Sequence, residues 1–229
     1  MIMDCIVQKP IVNNERDQMA RPREFDADAA LDRAMEAFWG KGYEATSLDD
    51  LCEVTGLSRS SLYATFGSKR DLLLRSVDRY VEQRNPRLAA VLAQAVPVRD
   101  GFAALARQFI DQIVAGPGRR GCFLGNCAAE LPRNDRAALA RVRRGLESTE
   151  ATFRDALARG KARGELSSVA DVDALARFLT AGFQGLRLVG KVNPDRAVLE
   201  DIAMTMLQCL GESRREARER RISPRMREG

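Results

Sequence analysis

The sequence predicts an all-α protein of about nine helices. In the 229-residue chain Ala, Leu, Arg and Glu are prominent and β-branched residues are sparse, which favours helices over strands. Apolar residues recur three and four positions apart behind polar capping residues, the spacing of a helix with one buried face. The length suffices either for a small domain followed by a larger one or for a single helical body.

The first predicted helix follows an irregular N-terminal stretch. Residues 1–18 show no helical periodicity, and Met19 looks more like a true start, so we expect 1–18 to be a poorly ordered N-terminal extension. Asp26 is placed as the N-cap of a helix that runs to Trp39. Gly40 and Gly42 then end this helix.

Two short helices joined by a glycine turn are predicted next. Ser47 stands where an N-cap is needed, and Gly56 can adopt the left-handed conformation that closes a tight helix end. Ser58 caps the following helix, in which Leu62 and Phe66 lie four residues apart on the inward face. Two capped helices with this turn have the layout of a helix-turn-helix that reads DNA.

The outer face of the second short helix favours DNA binding over a plain helical hairpin, which is the alternative interpretation of the same pattern. Residues 57–70 contain no acidic side chain, and Arg59, Lys69 and Arg70 give the segment a local charge of +3. A surface of this charge is suited to meet phosphates.

A longer motif surrounds these two helices. The run from Ser61 to Leu73, Ser-Leu-Tyr-Ala-Thr-Phe-Gly-Ser-Lys-Arg-Asp-Leu-Leu, resembles the signature of TetR/AcrR-family transcriptional regulators, in which a Leu-Tyr-x-x-Phe-x-x-Lys core closes the recognition helix. Residues 38–47, Phe-Trp-Gly-Lys-Gly-Tyr-Glu-Ala-Thr-Ser, resemble the lead-in of the same family. The match is close over about residues 25–75 and extends to the remainder only in size and helical layout.

The resemblance implies a division of the chain and a set of DNA contacts. A three-helix helix-turn-helix DNA-binding domain would occupy residues 19–67, and a C-terminal helical domain for ligand binding and dimerisation would occupy residues 68–229. Arg59 and Ser60 would read base edges. The residues that would hold phosphates are Ser47, Ser61, Tyr63, Thr65 and Lys69.

The helices of the C-terminal part are predicted from caps and breakers. Ser68 caps a fourth helix, which Asn85 and Pro86 should kink or break before a further segment over 88–96. The later helices are predicted near residues 99–115, 121–131, 134–160, 168–190 and 194–220.

The last two predicted helices carry more apolar surface than one buried face needs. Little polar surface is left over residues 169–189, and Ala181, Gly182 and Gly185 suit close approach by another helix. Burial in the core of the monomer is the alternative. In the resembled family this pair of helices forms a two-fold four-helix interface, which implies a homodimer, the symmetry that a palindromic DNA site requires.

The composition excludes several classes of function. The chain contains no histidine, which removes histidine general bases, Ser-His and Cys-His pairs and histidine-ligated metal sites, so we expect no enzyme, no metal and no cofactor. No apolar run approaches the ~20 residues of a membrane span, and the N-terminus lacks a signal-peptide pattern. The five cysteines show no metal-ligand spacing. A cytoplasmic protein with reduced thiols and no membrane partner is expected.

The positive charge of the chain is unevenly placed. The net charge is +5, but residues 19–84 carry ten basic against twelve acidic side chains, or −2. The excess lies in residues 116–145 (+5) and 211–229 (+3). Solvated helix faces explain both segments, with a weak accessory DNA contact by the tail as the alternative.

Cys122 is a candidate sensor of the signal. It would lie in the first turn of a helix beside Arg119 and Arg120, and a helix N-terminus with neighbouring cations lowers the pKa of a thiol and makes its thiolate reactive. Residues 121–126, Gly-Cys-Phe-Leu-Gly-Asn, resemble a stretch in a subgroup of the family, some of whose members sense electrophiles or oxidants through cysteine. A buried small residue that needs no chemistry is the alternative.

An apolar pocket inside the C-terminal bundle is the other candidate receptor of a signal. Aromatic side chains would line it and a few polar groups would anchor the ligand, although each aromatic residue could also be ordinary core. The aromatic candidates are Phe102, Phe109, Phe123, Phe153, Phe178 and Phe183, and the polar anchors are Asn126, Gln184 and Arg187.

Together these features predict a regulator that binds double-stranded operator DNA as a homodimer and represses transcription until a small-molecule inducer or an electrophile engages its C-terminal domain. The competing class is a cysteine-dependent helical enzyme or a small-molecule carrier that does not bind DNA. Salt-dependent binding to DNA would separate the two classes.

Overall fold

The computed structural model describes residues 26–94 and 97–211, and all regular structure within these ranges is helical. Nine α-helices are present there, as predicted. They are α1 Ala27–Lys41, α2 Leu48–Thr55, α3 Arg59–Phe66, α4 Lys69–Gln94, α5 Val98–Ala115, α6 Phe123–Glu130, α7 Arg136–Ala162, α8 Val172–Val192 and α9 Arg196–Leu207. Two short 3-10 turns, Pro117–Arg120 and Gln208–Leu210, follow α5 and α9.

The caps of α2 and α3 are those that the sequence predicts. The Ser47 hydroxyl accepts from the backbone N–H of Asp50, and the Asp50 carboxylate accepts from the backbone N–H of Ser47, so that α2 begins with a capping box. Gly56 ends α2 in the left-handed conformation, with φ 73°. The Ser58 hydroxyl then caps α3 by accepting from the backbone N–H of Ser61.

A kink or a break is predicted in α4 at Asn85-Pro86, and the break is wrong, because one helix runs to Gln94 with Pro86 inside it. A proline inside a helix costs about 3 kcal/mol or more. Next to the proline α4 contacts α7: the Asn85 side-chain amide donates to the Ser148 hydroxyl at 2.9 Å, and Thr149 Oγ1 lies 3.2 Å from the Asn85 side-chain oxygen. Helix α4 therefore connects the N-terminal helices to the rest of the chain without interruption.

The C-terminal helices lie near their predicted positions. Asp171 caps α8 by accepting from the N–H of Ala174, so this helix begins later than the predicted residue 168. The predicted last helix is shorter than expected and passes into a 3-10 turn that ends at Leu210. The predicted extension over residues 1–18 and the basic tail beyond residue 211 lie outside the described residues.

Two hydrophobic clusters form the interior. One joins α1, α2 and α3 to the first half of α4, to α6 and to the start of α7. The other joins the second half of α4 to α5, α8, α9 and the second half of α7. The predicted domain boundary between residues 67 and 68 stays a prediction, and the first cluster runs across it. The N-terminal helices therefore pack directly against α6, the helix that follows Cys122.

Within residues 26–94 and 97–211, no helix has both the length and the apolar character that a membrane crossing requires.

Candidate DNA interface and sensor site

Helix α3 presents a polar outer face above a buried inner one. Leu62 and Phe66 are buried in the cluster shared with α1 and α2. Arg59, Ser60 and Tyr63 are exposed on the opposite side, and Tyr63 keeps 45% of its surface accessible. Ser61 and Thr65 lie half-buried beside them. The sequence predicts that these five residues lie mostly on the outer side of the helix, and three of them are exposed there. Their DNA contacts stay a prediction.

Arg59 is paired with an acidic side chain of the preceding helix. Its Nε and Nη2 atoms donate to Asp49 Oδ1 at 3.1 and 2.6 Å, and this pairing raises the pKa of Arg59. Both side chains are more than half exposed. Because an exposed ion pair contributes little to stability, Arg59 can exchange this partner for another acceptor at low cost.

The hydroxyl groups of the predicted phosphate contacts are engaged in helix caps. Ser47 Oγ donates to Asp50 Oδ2 at 2.7 Å, and Ser61 Oγ lies 2.9 Å from Ser58 Oγ. Thr65 Oγ1 donates to the backbone oxygen of Ser61 at 2.8 Å. Since a hydroxyl has one proton to donate, Ser47 and Thr65 must leave their present acceptors in order to donate to a phosphate.

Lys69 lies beside an aromatic residue that the sequence analysis did not single out. Its Nζ is 4.5 Å from the centroid of the Tyr43 ring, a cation–π contact. The backbone N–H of Tyr43 donates to Glu130 Oε2 at 2.6 Å, so the C-terminal residue of α6 is bonded to the segment that supports Lys69. Glu130 is 87 residues away in sequence, and only the tertiary fold could show this bond.

Cys122 is the buried N-cap of α6, but its cationic neighbours are not those predicted. Arg119 donates from Nε to the backbone oxygen of Ile113 at 3.3 Å, and Arg120 is paired with Glu36. The cations close to the thiol come from α4 and α8 instead. Arg84 Nη1 lies 3.9 Å from Cys122 Sγ. The chain neighbours point away because the 3-10 turn before Cys122 directs them to α1 and α5.

The second cation near the thiol is Arg187, which is hydrogen-bonded to Tyr80. Arg187 is buried, with 6% of its surface exposed, and donates from Nη1 to the Tyr80 hydroxyl at 3.2 Å and from Nη2 to the backbone oxygen of Gly121 at 2.7 Å. The Tyr80 hydroxyl in turn lies 3.8 Å from Cys122 Sγ. Arg187 was predicted as a polar anchor of a pocket, whereas Tyr80 and Arg84 were missed because no local pattern sets them apart on α4.

These surroundings act in opposite directions on the pKa of Cys122. Burial raises it, but the guanidinium groups of Arg187 and Arg84 and the hydrogen bonds from Gly125 and Gln184 outweigh burial, and the pKa of the thiol lies below its ordinary value. The structure therefore combines a favoured thiolate with restricted access.

The turn before Cys122 is bonded to α1. The backbone oxygen of Gly121 accepts from Trp39 Nε1 at 3.2 Å as well as from Arg187. The Arg120 guanidinium lies 3.6 Å from the centroid of the Trp39 ring, and its backbone oxygen accepts from Asn126 Nδ2 at 2.8 Å. Both ends of α6 are thus joined to the N-terminal helices, through Trp39 at the start and Tyr43 at the end.

A cavity of about 410 Å³ opens next to this site, between α1, α4, α5 and α8. Tyr80, Arg84 and Arg187 contribute to its wall together with Trp39 and Phe109, so the groups that contact Cys122 also face the cavity. This position differs from the predicted one, which lay inside the C-terminal bundle.

Most of the aromatic residues predicted to line a pocket are placed elsewhere. Phe102, Phe153 and Phe183 pack against one another with ring centroids 5.2–6.3 Å apart and are almost fully buried. Phe123 packs against Trp39 and Tyr80 in the other cluster. Phe178 is 51% exposed, and Asn126 is occupied by the bond to Arg120. Of the predicted pocket residues, Phe109 and Arg187 alone line the cavity described above.

Helix α8 has an apolar stripe on each side. The inner stripe is buried in the core and includes Leu179, Phe183 and Leu186. The outer stripe is accessible and consists of Phe178, Ala181, Gly185, Leu188 and Val192. Gly182 packs against Met206 within the chain, whereas the space beside Gly185 is open. Val198 and Met204 of α9 are also exposed large apolar residues.

Both the N-terminal and the C-terminal part of the chain are similar to known proteins. Residues 30–75 match the family model of bacterial regulatory proteins, tetR family, and residues 100–206 match the tetracyclin repressor-like C-terminal domain. The HTH-type transcriptional repressor ComR of Escherichia coli is 36% identical over 84% of this chain and 92% of its own length. The HTH-type transcriptional regulator YezE of Bacillus subtilis is 34% identical over 84% of this chain and all of its own length.

The fold is also similar to that of a solved structure. A cysteine mutant of the TetR-family regulator CifR, complexed with 26-bp double-stranded operator DNA, superposes with a TM-score of 0.74 at 32% identity. The match covers 82% of this chain and 98% of that one.

Proposed function

This chain belongs to the TetR family of bacterial regulatory proteins, and we propose that it represses transcription as a homodimer on a palindromic operator and leaves the DNA when an electrophile or a small molecule engages its C-terminal part. The observation that carries DNA binding is the exposed face of α3, a helix without acidic residues of its own that follows a capped glycine turn. Relatives of this chain are transcriptional regulators, and we propose a cytoplasmic regulator without catalytic activity.

On DNA, Arg59 and Ser60 would contact base edges in the major groove, because both are exposed at the start of α3. Tyr63 lies one turn further on and would contact a phosphate. Lys69, at the start of α4, adds a positive charge beside the same face. Ser47, Ser61 and Thr65 border the face and would contribute further phosphate contacts.

The outer apolar stripe of α8 supports the dimer. It continues over about four turns with the three- and four-residue spacing of a helix-packing face, and small residues at its centre allow a second helix to approach closely. A two-fold pair of such faces would place two α3 helices on successive half-sites of a palindrome.

The chemistry proposed for the signal is addition to Cys122. The thiolate sulfur would bond to the β-carbon of an α,β-unsaturated carbonyl compound, the π-electron pair would move to the α-carbon, and this carbon would take a proton from water. The adduct places new volume in a site that is only 5% exposed and removes the negative charge that faces Arg84 and Arg187. Both effects would displace the start of α6 and, through Trp39 and Glu130, the N-terminal helices.

The proposed function is tested by DNA selection. Purified protein is mixed with fragments of its own genome, bound fragments are sequenced, and affinity for the enriched fragment is measured across salt concentrations. We expect an inverted repeat and a linear fall of log affinity with log salt concentration. Turnover of a thiol reagent without enrichment of any fragment would instead favour the cysteine-dependent enzyme.

A further inference from the structure

Two guanidinium groups next to Cys122 have no carboxylate partner among the described residues. Arg187 is buried and contacts the Tyr80 hydroxyl, the Gly121 backbone oxygen and the face of Phe109, whose ring centroid is 5.1 Å from its Cζ. Arg84 contacts Cys122 Sγ at 3.9 Å and also faces Phe109, at 5.5 Å. A buried cation is costly unless an anion faces it. Of the two ionisable groups beside these arginines, the Cys122 thiol supplies that charge more readily than the Tyr80 hydroxyl, because burial raises the pKa of Tyr80.

Both guanidinium groups also line the cavity, together with Arg87 and Arg120. The acidic residue in the lining is Glu36, and its carboxylate is already paired with Arg120. The Nε of Arg120 is buried without a hydrogen-bond partner in the described structure. The polar end of the cavity therefore has an excess of donors and of positive charge.

The cavity lining also has apolar side chains. They come from α4 and α5, and the volume of about 410 Å³ lies within the range of small-molecule pockets. These apolar lining residues include Leu88, Val91, Leu105 and Phe109. A ligand that suits both kinds of lining residue has a negatively charged, planar head group and a hydrocarbon body, since guanidinium groups bind carboxylates through parallel hydrogen bonds.

We propose that the cavity binds a small organic carboxylate with an apolar body, and that this ligand competes with the Cys122 thiolate for Arg84 and Arg187. The inference rests on the proposed function in that it takes the cavity as the inducer site. Binding itself can be measured without DNA.

Carboxylate binding and ionisation of Cys122 each weaken the other, because both place a negative charge beside Arg84 and Arg187. A bound carboxylate reduces the positive potential at Sγ and so disfavours the thiolate, which slows its alkylation. By linkage, protonation of Sγ must strengthen carboxylate binding by the same factor by which the bound carboxylate weakens ionisation of the thiol. Removal of the thiolate by substitution frees the same guanidinium groups and should therefore also strengthen carboxylate binding. Simple steric coupling gives no such strengthening, so the sign of the effect separates the two cases.

The single tryptophan of the chain, Trp39, lines the cavity and provides a built-in probe. Its fluorescence is followed during titration with octanoate and phenylacetate, and with octanamide and phenylacetamide as neutral matches of the same shape. We expect saturable binding of the two acids, with the amides weaker by about tenfold or more because they lack the charge.

Three variants test the assignment of the residues. Arg84→Gln should weaken binding of the acids by about tenfold. Arg107→Gln makes the same change of charge on an exposed position of α5 outside the cavity lining and should leave the affinity unchanged. Cys122→Ser should bind the acids several-fold more tightly. Circular dichroism establishes that each variant is folded.

The result is decisive in either direction. Failure of both acids to bind, equal binding of acids and amides, or equal effects of Arg84→Gln and Arg107→Gln would overturn the carboxylate site. Unchanged or weaker binding by Cys122→Ser would overturn the competition. If Arg84→Gln does not fold, the rate at which iodoacetamide alkylates Cys122 in the wild type decides, and it must fall when octanoate is present. Acid binding by a protein that ignores DNA would contradict the proposed function and leave the site intact.

Discussion

Cys122 and Cys127 lie five residues apart, and their surroundings drive the two thiols in opposite directions. At Cys122 burial raises the pKa, but Arg187 and Arg84, together with hydrogen bonds from Gly125 and Gln184, outweigh burial and lower it. Burial and the nearby carboxylate of Glu130 raise the pKa of Cys127 to about 12. The reactive thiol is thus distinguished by residues of α4 and α8, far away in sequence. The sequence motif identified the position, but not the cations that act on it.

This difference predicts the order of alkylation. Thiolate fraction rises as the pH approaches the pKa from below, so near neutral pH Cys122 should react with iodoacetamide well before Cys127. Mass spectrometry after brief treatment gives the order. Cys122→Ser serves as control and should leave Cys127 unmodified over the same time. Earlier modification of Cys127 would refute the proposed role of the two arginines.

Arg59 and Lys69 should differ in what they contribute on DNA. Arg59→Ala should cost about 1–3 kcal/mol on the operator and relax the base preference, because a bond to a base edge is lost. Lys69→Ala should weaken operator and random DNA alike and reduce the salt dependence. Anisotropy titrations on both DNAs measure this, and equal losses on the two DNAs for Arg59→Ala would exclude base reading.

The sequence of α8 does not show which of its apolar residues are buried in the core and which are exposed. Its apolar residues predicted both burial and an interface, and the structure assigns these to two sides of the helix. Phe183, which was expected in the pocket, is core, whereas Phe178 is exposed. Helix caps such as Ser47 were predictable because their partners lie three residues away. The continuation of α4 through Pro86 was not predictable, because the residues of α7 that contact the helix there are more than 60 positions away in sequence.

Replacing phenylalanine by glutamate should have different results on the two sides of α8. Phe178→Glu should lower the dimer fraction and keep the helical fold, because position 178 faces solvent in the single chain. Phe183→Glu should unfold the chain, since it places a charge among Phe102, Phe109 and Phe153. Sedimentation velocity and circular dichroism separate these outcomes. A Phe178→Glu variant that stays fully dimeric would rule out the outer stripe as the interface.

The start of α4 is tied to the start of α7 by Arg70, which donates from Nε and Nη2 to the Asp135 carboxylate at 2.6 Å each. The bond from Arg70 lowers the pKa of Asp135 to about 2. A carboxyl group whose pKa is lower in the folded state stabilises the fold above its unfolded pKa of about 4 and loses this effect as pH falls towards 2. Between these values wild type should lose stability relative to Asp135→Asn. Thermal unfolding at several pH values tests this, and parallel curves would contradict it.

The whole molecule joins a DNA-reading face to a thiol and a cavity through one short helix. The start of α6 is bonded to Trp39, its end to Tyr43, and the following Asp135 to Arg70. In the proposed mechanism a change at Cys122 would reach the N-terminal helices through these contacts. In the proposed dimer such a change would alter the separation of two α3 helices, which a palindromic site tolerates poorly.

Release of operator DNA on modification of Cys122 tests this mechanism most directly. Labelled operator is titrated with wild type and with Cys122→Ser, before and after brief treatment with N-ethylmaleimide, and anisotropy gives the affinity. Both untreated proteins should bind equally, and treatment should weaken wild type by about tenfold or more, equivalent to about 1.4 kcal/mol, while Cys122→Ser stays bound. Treated wild type that remains on the DNA, or loss of binding by treated Cys122→Ser, would contradict it.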